Sequence, residues 1–224
     1  MSKGIILAAG NQKRFNSKKY KSLVEFNGKT LLEYNIENMR CFVEKIYVVI
    51  SNKMNAKQFE KIIKNYKNVN LIKIKSGYGC GHAVLKALDK IFFTKNDNFY
   101  LIWGDSFQDK KVYKKIYNLN NFITVPVYYT ENPYVQFVVN DKNIKNVKFS
   151  KYNEVINKYG FQDLSIFKFN GKIIYDLLKN VDYRNNELLF LDLFNTYNIG
   201  KIVVFNNFKK NSFNTIEEYK EIFN

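Results

Sequence analysis

GIILAAG, at residues 4–10, is the stretch of this sequence that decides its fold. A continuous apolar run of this kind is typical of a strand that is buried on both faces of a sheet. The run ends in Leu7, Ala8, Ala9 and Gly10, so little side chain is left at the strand tip. Backbone exposed in this way can face the phosphates of a nucleotide. The stretch therefore predicts the first strand of an α/β sheet, with a ligand site at its carboxyl end.

Strand-like apolar runs recur along the first half of the chain and alternate with segments of helical period. Predicted strands lie at residues 4–9, 45–50, 69–74, 99–103 and 122–129, and predicted helices at 30–42, 55–66, 82–93 and 110–119. This alternation predicts a mostly parallel sheet that is covered by helices on both faces. Ligands of such sheets bind beyond the carboxyl ends of the strands, so the residues that follow each strand carry the functional information.

The second half has a different pattern. Strand-like runs at 135–140, 144–149 and 161–169 are followed by helices at 171–178 and 186–197, a strand at 201–205 and a helix at 215–223. The three successive strands predict an antiparallel insertion. We therefore expect residues 1–224 to form one Rossmann-like α/β domain. It should have three layers (α/β/α), a mixed, mostly parallel sheet and a small antiparallel insertion in the second half.

The composition limits the classes of function. The formal net charge is +16 over 224 residues, but arginine occurs only at positions 14, 40 and 184 among many lysines and asparagines. A bias of the coding sequence explains this pattern better than a surface for nucleic acid does. The sequence has no apolar run of about 18 residues and no signal-peptide pattern, so we expect a cytoplasmic protein without a membrane span. The two cysteines form no metal or disulfide pattern.

A basic loop follows the first predicted strand. Arg14 offers a fork-shaped cation that suits a phosphate, and Lys21 comes just before the turn at Asn27 and Gly28. The alternative is a strand end made of small residues and followed by a solvated basic loop without a ligand. The residue types alone leave these two interpretations open.

The same residues resemble the N-terminal signature of the nucleotidyltransferase superfamily, which includes sugar-1-phosphate nucleotidyltransferases, cytidylyltransferases and molybdenum-cofactor guanylyltransferases. The resemblance rests on GIILAAG at 4–10, Arg14, Lys21 and GKTLL at 28–32. It implies a nucleoside triphosphate (NTP) held against the backbone of residues 7–10, with Arg14 and Lys21 as the catalytic cations. Two positions depart from the signature: Gln12 replaces a glycine, and Tyr20 replaces the proline before the lysine, which predicts the loss of a rigid turn.

A glycine-rich segment, GYGCGHAV at 77–84, precedes the third predicted helix. Free amides at a helix start can admit a phosphate or a flat base. The segment resembles one that reads uracil in acetylglucosamine-1-phosphate uridylyltransferases, which implies nucleotide binding by Gly79 and Gly81. The family's uracil-reading glutamine is Gly77 here, so CTP is expected slightly ahead of UTP. His82, the only histidine, is expected to be structural rather than catalytic.

Two oxygen-bearing residues are predicted to bind Mg²⁺. Asp105 follows the predicted strand 99–103, and a carboxylate at a strand tip suits a hard divalent cation. The resemblance implies that Asp105 contacts the metal–nucleotide complex and that Asn214 is the second metal ligand. Each residue has a simpler alternative, because Asp105 could lie in a turn or cap the helix that follows it, and Asn214 could cap the last helix.

The acceptor half of the sequence matches the family less closely. Residues 186–194 resemble a segment of sugar nucleotidyltransferases, and this resemblance implies acceptor binding by Glu187. Gln162 and Asp163 are the other two predicted acceptor residues. The family glutamate expected near 144–149 is replaced by Phe149 or Ser150, so an amino sugar is not the expected acceptor.

The sequence as a whole predicts a Mg²⁺-dependent enzyme that joins an NTP to a small phosphorylated acceptor and releases pyrophosphate. The acceptor is expected to be a sugar phosphate for a cell-surface polysaccharide. One alternative is a cytidylyltransferase for a phosphorylated alcohol or amine. Another is a nucleic-acid-binding protein on a transferase-like fold, which the charge of +16 and the 17% aromatic residues would favour.

Overall fold

The fold was analysed in a computed structural model that describes residues 2–10, 20–75, 77–152, 154–206 and 208. The strands are β1 (Ser2–Leu7), β2 (Glu25–Phe26), β3 (Lys29–Thr30), β4 (Lys45–Ser51), β5 (Val69–Ile74), β6 (Asn98–Trp103), β7 (Ile123–Glu131), β8 (Val135–Asn140), β9 (Asn143–Phe149), β10 (Tyr159–Asp163), β11 (Ile166–Asn170) and β12 (Lys201–Val204). The helices are α1 (Leu31–Met39), α2 (Ala56–Ile63), α3 (Cys80–Leu88), α4 (Lys110–Tyr117), α5 (Gly171–Leu178) and α6 (Asp192–Tyr197). Among these helices, none has both the length and the apolar character needed to cross a membrane.

Ten of the strands form one mixed sheet in the order β10-β8-β9-β12-β7-β11-β6-β1-β4-β5. The four strands β6, β1, β4 and β5 pair in parallel, as predicted. The strands from β7 onward add the antiparallel pairings of this sheet. β11 pairs antiparallel with both β6 and β7, and β7, β10, β8, β9 and β12 pair in a closed ring whose β12–β7 pairing is parallel. The mixed α/β class is confirmed.

Helices cover both faces of the sheet. Successive residues of a strand point to opposite faces, so a continuous apolar strand presents apolar side chains to the helices on each side. Ile5 belongs to one apolar core and Ile6 to the other. The first core receives apolar side chains of α3, α5 and α6, and the second receives those of α1, α2 and α4. The predicted α/β/α layering is therefore confirmed.

The predicted strand at 161–169 is divided into β10 and β11. Ser165 has a φ of +62°, so the extended backbone is interrupted there. The carboxylate of Asp163 accepts a hydrogen bond from the Ser165 amide at 2.7 Å, and the Ser165 carbonyl accepts one from the Trp103 amide at 3.1 Å. The expectation of a single strand was wrong because a polar side chain bonds to the backbone and stabilises this bulge.

The predicted helix at 186–197 begins only at Asp192. Arg184 and Glu187 exchange backbone hydrogen bonds of 2.8 and 2.9 Å around a two-residue turn. Asn185 and Asn186 have φ values of +50° and +64°, a conformation that asparagine tolerates better than most residues. The early helix start was therefore wrong. The helix predicted at 215–223 lies outside the described residues.

Candidate active site

The carboxyl ends of β1 and β6 lie side by side, with Leu7 paired to Trp103. The Gly104 amide donates a hydrogen bond of 2.9 Å to the Leu7 carbonyl. A Cβ atom at Gly104 would lie 2.9 Å from that carbonyl oxygen and 3.1 Å from the Cβ of Ala8. Ala8 and Gly104 are therefore small because the two strand ends pack against each other. Gly10 is exposed, and no atom of the described residues would lie within 4 Å of a Cβ atom placed there.

Lys21 and Asp105 meet at this edge, although they are far apart in the sequence. The Lys21 Nζ lies 3.5 Å from Oδ2 of Asp105. The Lys21 side chain is 9% exposed and that of Asp105 is 41% exposed. The alternative of a solvated basic loop does not hold at Lys21, because this lysine is buried in a 3₁₀ turn over Lys21–Leu23. The other predicted cation, Arg14, lies outside the described residues.

Asp105 occupies a tight turn that neighbouring elements support. The Ser106 carbonyl accepts a hydrogen bond of 2.8 Å from the Asn35 amide group on α1, and the Ser106 hydroxyl donates one of 3.0 Å to the Trp103 carbonyl. The N-cap of α4 is Asp109, whose carboxylate accepts a hydrogen bond from the Lys111 amide at 2.8 Å. The helix-cap alternative for Asp105 is thereby excluded, and its carboxylate lies at the edge beside Lys21.

The glycines before α3 pack against the segment around Leu188. A Cβ atom at Gly79 would lie 2.3 Å from the Leu188 carbonyl oxygen, and one at Gly81 would lie 2.8 Å from the Leu189 carbonyl carbon. That Leu188 oxygen accepts hydrogen bonds from the amides of Gly81 at 2.8 Å and His82 at 3.3 Å. The expectation of free amides at this helix start was therefore wrong. Backbone packing explains both glycines, and their contact with a base stays a prediction.

His82 belongs to a small aromatic group near the same helix start. Its Nδ1 lies 3.0 Å from the Tyr183 hydroxyl, and its ring centroid lies 5.0 Å from that of Tyr78. Burial, assisted by the nearby charge of Lys86, lowers the pKa of His82 below its ordinary value. A neutral histidine that bonds to a tyrosine fits the structural role expected from the sequence.

A second group of charged side chains, here named the Arg184 cluster, comprises Lys151, Glu154, Arg184, Glu187 and Asp192. The Arg184 guanidinium lies 2.6 Å from Glu154 and 3.2 Å from Asp192, and Lys151 lies 3.6 Å from Glu187. Burial raises the pKa of Asp192 above its ordinary value, although the charge of Arg184 acts in the opposite direction. Burial alone would lower the pKa of Lys151, but its contact with Tyr152 and the charge of Glu187 outweigh burial and raise this pKa above its ordinary value.

Aromatic rings cover one side of this cluster. The Arg184 guanidinium lies 4.9 Å from the ring centroid of Tyr152 and 5.3 Å from that of Phe149. Phe149 stands where the resemblance leads one to expect a glutamate, and Glu154 accepts a hydrogen bond from the Phe149 amide at 2.8 Å. A carboxylate is therefore present beside this strand end, but it comes from a position further along the chain.

Gln162 and Asp163, the other two predicted acceptor residues, have partners within the sheet. The Gln162 side chain accepts from the Tyr134 amide at 2.7 Å and donates to the Tyr128 hydroxyl at 3.0 Å. Asp163 is buried at the bulge, and burial raises its pKa to about 6. These contacts give both residues a structural role, and acceptor binding by Gln162, Asp163 and Glu187 stays a prediction.

Comparison with known proteins identifies the family to which this chain belongs. Residues 4–137 match the family described as the MobA-like NTP transferase domain. The chain is 30% identical over 190 residues to the bifunctional protein GlmU of Thermosipho africanus, a match that covers 82% of this chain and 40% of that protein. It is 27% identical over 187 residues to the 2-C-methyl-D-erythritol 4-phosphate cytidylyltransferase of Thermosipho melanesiensis, covering 81% of this chain and 82% of that one. The inositol-1-phosphate CTP transferase of T. maritima has a similar structure, with a TM-score of 0.77 at 18% identity over 99% of this chain and 94% of that one.

The chain belongs to the MobA-like NTP transferase family. The family match extends over more than half of its length and includes Gly10, Lys21, Asp105 and both glycines before α3. It ends before the Arg184 cluster begins. The chain spans about 40% of the length of the GlmU protein that it resembles, so that protein's whole activity does not carry over with the match.

Some site residues of this MobA-like chain were missed from the sequence. Arg184 was one. It is one of three arginines in a chain with 36 lysines and arginines, and this rarity could have singled it out. A planar guanidinium can bind two carboxylates in a fixed geometry, which a lysine ammonium does not provide. Gly104 was another, and it could have been found as the partner of the small residues that end β1. Asn214 lies outside the described residues, so its distance from Asp105 stays untested.

Proposed function

We propose that this chain is a Mg²⁺-dependent nucleotidyltransferase of the pyrophosphorylase type, which joins an NTP to a small phosphorylated acceptor and releases pyrophosphate. The observation that carries the proposal is the Lys21–Asp105 pair of 3.5 Å at the edge where β1 ends in small residues. A cation and a carboxylate beside an open strand tip suit a polyphosphate and its counter-ion. The site would operate in the cytoplasm, where NTPs are found.

The reaction begins when an acceptor phosphate oxygen attacks the α-phosphorus of the NTP. A new oxygen–phosphorus bond forms as the bond from the α-phosphorus to the bridging oxygen breaks, and pyrophosphate leaves with the electron pair. The attacking oxygen is already anionic, so no strong general base is needed. The main obstacle is the repulsion between two anions, which positioned cations reduce. Lys21 would supply one such cation from a buried position, and Arg14 is proposed as the other.

The donor set at this edge fits a magnesium ion that is held largely by substrate. Within the described part of the chain, no three His, Cys, Asp or Glu side chains come together as a metal cluster. Mg²⁺ commonly binds through one or two protein oxygens together with phosphates and waters. Asp105 would be one ligand and Asn214 is proposed as the second. When bound, the ion would offset phosphate charge that the protein side chains leave uncompensated.

The proposed nucleotide is a pyrimidine, with CTP ahead of UTP. Gly77 in place of a uracil-reading glutamine supports CTP, as do the printed names of two relatives, a cytidylyltransferase and a CTP transferase. The same names refer to an erythritol phosphate and an inositol phosphate as acceptors of those proteins. We propose a sugar phosphate that serves a cell-surface polysaccharide. The second candidate, a phosphorylated alcohol or amine, is favoured by the CTP-dependent relatives.

The test is a screen for pyrophosphate release with each of the four NTPs against sugar phosphates, polyol phosphates and phosphocholine-like compounds. We expect Mg²⁺-dependent release with CTP or UTP and one acceptor class. Tightest binding of ATP or GTP in calorimetric titrations would contradict the pyrimidine preference. Retention of nucleic acid that weakens with salt, without pyrophosphate release from any mixture, would favour the nucleic-acid-binding alternative instead.

A further inference from the structure

Tyr20 stands immediately before Lys21 and connects this turn to another element. Its hydroxyl accepts a hydrogen bond of 2.9 Å from the backbone amide of Asn55, the N-cap residue of α2. Its ring lies 5.5 Å, between centroids, from the ring of the fully buried Phe59 on the same helix. The residue before the lysine is therefore bound to α2 by a polar contact and an apolar contact.

The backbone of Tyr20 has the geometry that a proline would impose. Its φ is −67° and its ψ is 140°, and proline fixes φ near −65°. The loss of a turn expected from the replacement of proline is therefore not observed. The Leu23 amide donates to the Tyr20 carbonyl at 2.8 Å, and the Val24 amide donates to the Lys21 carbonyl at 3.2 Å. The turn forms without the proline ring.

Lys21 depends on this turn for its position. Its side chain is 9% exposed and reaches Asp105. The carboxyl end of its turn is bound to the start of α1, because the Leu31 amide donates to the Val24 carbonyl at 2.9 Å. The near end is bound to α2 through Tyr20. A lysine side chain has many rotamers, so the backbone from which it extends must be fixed if Nζ is to stay near one point.

We propose that Tyr20 is a positioning residue for Lys21: its hydroxyl and ring bind the lysine turn to α2 and replace the restraint that proline gives in the related signature. The inference rests on the proposed role of Lys21 toward phosphate. It predicts that removing the Tyr20 contacts weakens NTP binding although Tyr20 contributes no charge. A purely structural tyrosine would lower the stability of the whole fold and leave the affinity of the folded protein unchanged.

The experiment compares the full-length chain with Tyr20→Phe, Tyr20→Ala and Tyr20→Pro. Tyr175→Phe is the matched control, because it removes a tyrosine hydroxyl that donates 2.7 Å to Asp89, away from Lys21. Calorimetry with CTP and Mg²⁺ gives NTP affinity, and amide hydrogen exchange at Leu23 and Val24 reports the turn directly. Exchange at amides of β1 and β6 reports the whole fold.

We expect Tyr20→Phe to weaken CTP binding about threefold and to speed exchange at Leu23 and Val24 by about the same factor, within the range of one hydrogen bond. Tyr20→Ala should have a larger effect, roughly tenfold, because the ring contact is also lost. Tyr20→Pro should recover most of the affinity lost in Tyr20→Ala, and Tyr175→Phe should match the wild type at both amides.

Wild-type affinity and wild-type exchange in both Tyr20→Phe and Tyr20→Ala would overturn the proposal. So would a Tyr20→Pro variant as weak as Tyr20→Ala, or faster exchange spread equally over β1 and β6. If the wild-type chain binds no NTP, the proposed function fails. The exchange measurements then still decide whether Tyr20 holds the lysine turn.

Discussion

The β1–β6 edge and the Arg184 cluster both bring charged side chains together, but they are assembled differently. At the edge, the parallel register of Leu7 with Trp103 and the backbone hydrogen bond from Gly104 to Leu7 bring the residues after each strand together. In the Arg184 cluster, the segment after β9, the segment after α5 and the start of α6 are joined by side-chain ion pairs. Backbone pairing leaves a short, ordered motif in the sequence, whereas ion pairs between loops leave none. The sequence therefore singled out Lys21 and Asp105 at the edge, whose roles stay predictions, but in the cluster it singled out Glu187 alone.

The largest expected effect is at the carboxylate of the edge. Asp105→Asn keeps the shape of the side chain and removes its charge, so turnover should fall roughly 10²–10³-fold, as for other losses of a preorganised electrostatic group. Asp109→Asn is the matched control, because Asp109 is exposed and caps α4. Pyrophosphate release measures both. Equal rates in the two variants would mean that the Asp105 carboxylate takes no part in catalysis.

Lys21→Met tests the cation of the same pair. Because Lys21 is buried, Lys21→Ala would leave a cavity, whereas methionine fills similar volume without the charge. Turnover should fall about 10²-fold while the midpoint of urea unfolding changes little. Lys29→Met is the control, since Lys29 is exposed and lies 2.7 Å from Glu37. Wild-type turnover in Lys21→Met would remove this lysine from the site.

These two variants probe the part of the molecule that sequence patterns describe best. Strands β1, β4, β5 and β6 were predicted to within about two residues at each end, since continuous apolar runs are typical of strands buried on both faces. The helix predicted at 82–93 ends at Leu88. The prediction ran too far because Ile91 and Phe92 continue the apolar pattern beyond the helix, although Phe92 is 87% exposed. A periodic pattern does not tell an exposed aromatic residue from a core residue.

The failures in the second half have a common cause. The bulge at Ser165 depends on a hydrogen bond from its amide to Asp163, and the turn at Asn185 depends on two successive asparagines with positive φ. Apolar periodicity registers neither feature. The acceptor role predicted for Gln162 stays a prediction, and in this fold its amide group bonds to Tyr134 and Tyr128. A side chain that has partners inside the fold looks the same in sequence as one that awaits a ligand.

A pair of glycine variants separates packing from ligand binding. Gly79→Ala places a Cβ atom 2.3 Å from the Leu188 carbonyl oxygen at a residue with φ of +89°, so unfolding free energy should fall by about 2 kcal/mol or more. The Cβ atom of Gly10→Ala meets no atom of the described residues within 4 Å, so stability should change little, but NTP affinity should fall if phosphates lie against this backbone. Urea unfolding and calorimetry with CTP measure the two effects. A stable Gly79→Ala variant would contradict the packing described for α3.

Asp163 gives a smaller, pH-dependent effect on stability. Its pKa of about 6 in the folded chain lies above the value of about 4 for an unfolded aspartate. Between these values the unfolded chain releases the proton first, so rising pH lowers the free energy of unfolding, by on the order of 2 kcal/mol, until about pH 6. Asp163→Asn should abolish this decrease, and Asp109→Asn should keep it. Urea titrations from pH 4 to pH 7 decide, and identical pH profiles for Asp163→Asn and the wild type would mean that folding does not raise the pKa of Asp163.

The smallest expected effect tests whether the Arg184 cluster contacts the acceptor. Glu187 lies 3.6 Å from Lys151, and their side chains are 44% and 35% exposed, so Glu187→Gln should change stability by less than about 1 kcal/mol. Glu131→Gln is a matched control, because Glu131 also lies 3.6 Å from a lysine, Lys158, and is half-exposed. If Glu187 bonds to acceptor hydroxyls, the KM for the acceptor should rise about threefold to tenfold, within the range of one ordinary hydrogen bond because glutamine still accepts, while the affinity for CTP stays constant. An unchanged acceptor KM in Glu187→Gln, or an equal rise in Glu131→Gln, would separate the cluster from the acceptor and leave its ion pairs with a structural role alone.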